Sequence, residues 1–133
     1  MNTTHVDHYF KALSNRDKAG ISDHFAENIV LLGPIYPEPI AGKDAVVQIL
    51  SGFIETIDSL EVTLTFPSGP DVAVFFTFMR DGITVKGNER LHVDEVGLID
   101  EIEVAWRPLP AAVQIQEIFA AKMGFPAMHL VSD

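Results

Sequence analysis

Apolar side chains along this chain follow two rhythms. Val6, Tyr9, Phe10 and Leu13 recur at helical spacing, with Thr3 or Thr4 ahead of them as a cap. Asn15-Arg16-Asp17 interrupts that helix, and Asp17 can cap a short second one carrying Ile21 and Phe25. A brief strand is expected over 29–32, after which three prolines in 33–39 force extended or turning backbone. Gly42 precedes a third helix in which Val46, Ile49, Leu50, Phe53 and Ile57 share a face. From Leu60 the period becomes two. Segments 60–66, 71–80, 83–94 and 98–107 read as consecutive strands, turning at Pro67–Pro70, Asp81-Gly82 and Glu95–Gly97 as an antiparallel meander does. A last helix is expected from about 110 to 122, with Gly124 as its C-terminal cap and Pro126 beyond. Helices followed by strands make an α+β architecture in which the sheet can wrap the helices. With no repeat, linker or low-complexity stretch, residues 1–133 read as one domain.

One residue breaks the alternation. In 83–93 one face is Ile83, Val85, Gly87, Glu89, Leu91 and Val93, and the other is Thr84, Lys86, Asn88, Arg90 and His92. Glu89 therefore lies inside an apolar stripe, where a carboxyl must be paired, hydrogen-bonded or kept protonated. It marks a candidate pocket. The same alternation puts Leu91, Val74, Phe76 and Phe78, and Ile102, Val104 and Trp106, on faces that can line it, with Phe53 of the third helix able to cover it. Largely apolar walls with few polar groups suit a small apolar molecule. Each of these apolar residues would serve equally as plain core, and Glu89 as a structural link to a helix or backbone donor.

Composition removes several function classes. Nineteen acidic against nine basic residues give a formal charge of −10, and no Lys/Arg cluster exists, which argues against nucleic acid and anionic membrane as partners. The longest apolar run, Val72 to Phe76, is too short to span a bilayer, and the N-terminus lacks a signal-peptide pattern, so a cytoplasmic location is expected. There is no cysteine and hence no thiolate chemistry. His5 and His8 beside Asp7 have a spacing that could hold a metal, but no third ligand adjoins them, so they read as solvated surface with no metal. No phosphate loop or nucleotide motif suggests a cofactor. Arg90 and His92, with Lys86, are expected to pair across strands with Glu101 and Glu103 on the outer face.

The stretch Phe25-Ala-Glu-Asn-Ile-Val-Leu-Leu-Gly-Pro34, the segment Pro39-Ile-Ala-Gly-Lys-Asp44 and the run from Gly97 to Leu109 ending Trp-Arg-Pro-Leu resemble nuclear-transport-factor-2-like domains. That superfamily includes ketosteroid isomerase and the SnoaL-type polyketide cyclases, and this chain is similar to a SnoaL-like branch over roughly 5–123. The resemblance implies a cone: N-terminal helices packed in a strongly bent antiparallel sheet, an extra C-terminal helix, and a pocket inside. It also implies that Tyr9 and Glu89 stand where the isomerase has its two oxyanion donors, the second a carboxylic acid held neutral by an apolar site. Trp106 matches a pocket-lining tryptophan. Gly33 occupies the place of the general-base aspartate, and Phe25 and Leu50 replace tyrosines that support the first donor. Standard ketosteroid isomerase chemistry is thereby disfavoured; Glu38 in the proline-rich loop could replace the aspartate as base, though it reads more simply as a solvent-exposed loop glutamate. Two function classes follow. One is a cofactor-independent isomerase, cyclase or hydratase using Tyr9 and Glu89; the other is a non-catalytic ligand-binding or protein-interaction domain. The resemblance further implies a homodimer through the outer sheet face near Arg90, His92, Glu103 and Arg107.

Overall fold

The period-two segments from residue 59 onward form the greater part of one sheet, and its strand order decides where a cavity can lie. The computed structural model describes residues 3–131. In chain order the elements are α1 (Thr4–Ser14), α2 (Lys18–Ser22), β1 (Phe25–Leu32), β2 (Ile40–Ala41), α3 (Lys43–Thr56), β3 (Ser59–Ser68), β4 (Asp71–Arg80), β5 (Ile83–Val93), β6 (Ile99–Arg107) and α4 (Leu109–Met123). The six strands form a single curved, unclosed sheet in the order β2-β1-β6-β5-β4-β3. Strands β3 to β6 are the expected antiparallel meander. Strand β1 joins it beside β6 in parallel, with Phe25 opposite Ile99 and Leu31 opposite Ile102.

Two local readings change. Phe25 belongs to β1 and not to the second helix, which ends at Ser22; its i, i+4 relation to Ile21 gives the helical pattern, but pairing beside Ile99 claims it for the sheet. Asp17 does cap α2, accepting from the Gly20 amide at 3.0 Å. Thr3 stands at the start of α1 without capping it, and its hydroxyl donates instead to Asp7. Strand β2, two residues long, carries too short a pattern to be read beforehand.

The helices fill the concave side. Val6, Tyr9, Phe10 and Leu13 of α1, and Val46, Leu50, Phe53 and Ile54 of α3, are buried against Val72, Val74, Phe76, Phe78, Val85 and Leu91 of the sheet. Arg16, at the α1–α2 turn, ties α3 down by donating to the carbonyls of Ile57 and Asp58, both at 2.8 Å. It also donates to the Ile54 carbonyl at 2.5 Å, one of the acceptors that the end of a helix leaves free. Helix α4 packs on α3 at Gly52, where an added Cβ would lie 2.5 Å from the Met123 sulfur and 3.2 Å from the Phe119 ring. That close approach brings α4 over the open end of the curved sheet. Gly124 ends α4 in the left-handed conformation, φ 82°, which glycine adopts without steric cost.

Candidate functional site

A cavity of about 100 Å³ lies between the sheet, α3, α4 and the 33–39 loop. Strand β5 alternates buried and outward positions, so Glu89 points to the concave side with Val85, Gly87 and Leu91. The neighbouring strand supplies Val104, opposite Glu89, and Trp106, opposite Gly87. Gly87 has no side chain for a packing reason: a Cβ there would lie 2.5 Å from the Phe76 ring and 3.0 Å from Trp106 Cδ1. Its absence lets both rings close over the strand. Phe53 stacks on Trp106 from α3, ring centroids 5.7 Å apart.

Glu89, Phe53, Phe76, Val104 and Trp106 thus stand on the cavity wall. The other expected residues do not. Tyr9, Val74, Phe78, Leu91 and Ile102 are buried in the core behind or beside it. Val74 lies on the α1 side of the sheet, near Val6 and Phe10. Phe78 backs the wall, its ring 5.1 Å from Phe53 and 5.0 Å from Trp106. Leu91 and Ile102 face each other in register. Alternation assigns a side chain to a face; how far along that face the cavity extends depends on where the helices pack.

Glu89 is only 6 % exposed, and its Oε1 has no hydrogen-bond partner among the described residues. Burial pushes its carboxyl up to about 8, so it is mostly protonated at neutral pH. Tyr9 is wholly buried, and burial, then the nearby Glu89 charge, hold its phenol well above the usual range. Its Oη likewise lacks a partner among the described residues, and its ring packs on Phe25 at 5.3 Å. The third such atom is Trp106 Nε1.

The mouth contains residues that strand alternation could not assign. Gly33, Tyr36 and Glu38 come from the loop, Ile49 and Leu50 from α3, Gln116 and Phe119 from α4, and Phe125 from the segment beyond it. Tyr36 Oη lies 2.8 Å from Gln116 Oε1 and 2.7 Å from the Pro126 carbonyl, so its single proton serves one acceptor at a time. Gln116 also accepts from the Met128 amide at 3.2 Å and donates to the Met128 carbonyl. These bonds bind the C-terminal segment across the mouth. Gln116 was legible by the rule that found Glu89, being a polar residue among the buried Ala112, Val113, Ile115 and Ala120 of its helix. Among the described residues, the lining carries no Lys, Arg or His.

On the outer face, Arg90 pairs with Asp71 at 3.1 Å, with Glu103 at 3.3 Å and with Glu101. His92 pairs with Asp100 at 2.6 Å and not with a glutamate, because the β5–β6 register shifts between His92 and Val93. Lys86 faces Arg107 in register, without an acidic partner there. His5 is not solvated surface: its Nδ1 lies 2.9 Å from that of His24, and the His8 ring also adjoins His24. Among the described residues no group of acidic or imidazole side chains is arranged to hold a metal ion. No helix among them is long and apolar enough to cross a membrane.

A family model described as a SnoaL-like domain matches residues 6–102. A steroid Δ-isomerase from Pseudomonas aeruginosa superposes with a TM-score of 0.85 at 20% identity, covering 92% of this chain and 90% of that one. A protein with a cystatin-like fold from Silicibacter pomeroyi superposes at 0.86, also 20% identical, over 91% and 86% of the two chains. SalBIII, an epoxide hydrolase/cyclase-like enzyme of pyran ring formation in the polyether salinomycin, superposes at 0.67 with 19% identity over 77% and 88%. At these identities the likeness is one of fold. No curated protein matches the chain.

Proposed function

The chain belongs to the SnoaL-like domain family, and on that premise we propose that it binds a small, mostly apolar molecule in the Glu89 cavity and acts on it by proton transfer without a cofactor. The reaction class is that of an isomerase, cyclase or hydratase. The observation that carries this reading is the Glu89 carboxyl, buried in an apolar wall and raised to about 8. A carboxyl kept neutral at pH 7 donates to an oxygen that gains charge as a neighbouring C–H bond breaks. Glu38, the other acidic residue on the lining and exposed at the mouth, takes the base role. Two carboxyls in unlike environments divide the acid and base work. Tyr9 stands off the wall and is given no direct contact with the bound molecule.

The minimal test is exchange of the α-protons of a small cyclic ketone into D2O, followed by NMR. Catalysed exchange in wild type, lowered about 10²-fold or more in Glu38→Gln and in Glu89→Ala, is the expected result. No exchange above buffer sinks the catalytic reading. A second reading, a ligand-binding domain without chemistry, is favoured by Gly33, which offers no carboxylate on that side of the cavity. Ketone binding without exchange selects it.

We also propose a cytoplasmic location and a homodimer through the outer sheet face. Leu64, Phe66, Phe75 and Met79 are exposed on β3 and β4, beside the Arg90 ion-pair cluster. An apolar centre with a charged border is how such interfaces are built. Light scattering that gives a monomer at micromolar concentration rules the dimer out.

A further inference from the structure

Buried polar atoms are nearly always paired, and leaving one unpaired costs stability. Tyr9 Oη, Glu89 Oε1 and Trp106 Nε1 are the buried side-chain atoms without a partner among the described residues. Two of these residues, Glu89 and Trp106, form part of the wall of one cavity, whereas Tyr9 does not. Glu89 pairs with Val104 and Gly87 with Trp106, so Glu89 and Trp106 are diagonal neighbours on the same face of β5 and β6. Such neighbours stand about 7–8 Å apart at the backbone, within reach of long and aromatic side chains. The bare Cα of Gly87 is what admits the Trp106 ring to this position.

An indole N–H can only donate, and a protonated carboxyl also donates. Among the described residues the lining holds no cationic side chain, which disfavours carboxylate and phosphate ligands. The space, about 100 Å³, is smaller than the roughly 150 Å³ apolar cavity known to take a benzene-sized guest, which bounds the ligand at one small ring. Resting on the reading of this cavity as the ligand site, we infer that Trp106 Nε1–H and the Glu89 carboxyl form a two-donor site for one acceptor oxygen of a neutral, single-ring molecule, a cyclic ketone or lactone. An alcohol spends its oxygen partly as a donor and matches the site less well. A hydrocarbon of the same shape leaves both donors unpaired.

Trp106 is the chain's single tryptophan, so its indole N–H gives one side-chain resonance in a ¹H–¹⁵N spectrum of the labelled protein. Cyclohexanone and methylenecyclohexane, which differ in oxygen against CH2, are the probes. The ketone is expected to move the indole proton downfield with saturation and to bind about ten-fold tighter than the hydrocarbon. Trp106→Phe is expected to remove most of that preference, read as the ratio of ketone to hydrocarbon affinity in the same variant. If both probes shift backbone amides around the cavity with equal affinity and the indole proton stays in place, the donor pair is refuted and the cavity stands as a ligand site. If neither probe binds, both readings fall. Preference for tetramethylammonium over the ketone would also overturn the inference, since Trp106 and Glu89 would then serve a cation through a π face and an ionised carboxylate.

Discussion

Replacing Glu89 by glutamine removes one proton-binding site and nearly preserves the side chain's shape. In the folded protein the carboxyl titrates at about 8, against an ordinary value of 4.5. Below pH 4.5 it is protonated in both states and contributes no pH dependence. Between 4.5 and 8 the unfolded chain has released the proton and the folded chain retains it, so the unfolded state binds fewer protons and wild-type stability falls as pH rises. The slope is about 1.36 kcal/mol per pH unit, hence about 3 kcal/mol by pH 7 and about 5 kcal/mol above pH 8. Against a typical stability of about 5–15 kcal/mol this is a large share. Urea unfolding of both proteins from about pH 5 to about pH 9 isolates the effect, because every other titrating group cancels in the difference. Glu89→Gln is expected to gain on wild type through this window, with a midpoint about 1 M or more higher near neutrality. Parallel curves, with a difference independent of pH, would refute the reasoning: Glu89 would then be ionised in the fold or solvated, and the neutral-donor role would go with it.

Gly33→Asp should be well accommodated, since a Cβ there meets nothing within 4 Å; in a Glu38→Gln background it is expected to restore ketone deuterium exchange by about 10²-fold. Absence of rescue would mean that the Gly33 side of the cavity does not face the acidic C–H bond. Gly87→Ala drives a methyl into Phe76 and Trp106 and should destabilise by about 1–3 kcal/mol, with altered Trp106 fluorescence; unchanged stability and emission would show that the rings yield freely. Tyr36→Phe removes a hydroxyl that bridges Gln116 and Pro126, costing about 1 kcal/mol. Faster amide hydrogen exchange within 124–131 is the expected readout, and unchanged exchange would show that Gln116 alone holds the segment.

What the sequence alone determined here was local: side-chain period and turn chemistry. The swing from helical spacing to alternation announced helices followed by a meander, and Gly124 and Asp17 marked helix ends that the structure realises. Alternation also found Glu89, because a carboxyl inside an apolar stripe is visible without knowing what faces it. Tertiary structure decided everything that depends on elements distant in sequence. Parallel pairing of β1 with β6 took Phe25 into the sheet, and a register shift gave His92 to Asp100. Packing of α4 on Gly52 set the cavity's extent, placing Gln116 and Phe119 at its wall and leaving Val74, Phe78, Leu91, Ile102 and Tyr9 in the core. The physical reason is that period fixes a direction for each side chain, whereas a cavity is the volume that several elements fail to fill, which no single segment encodes.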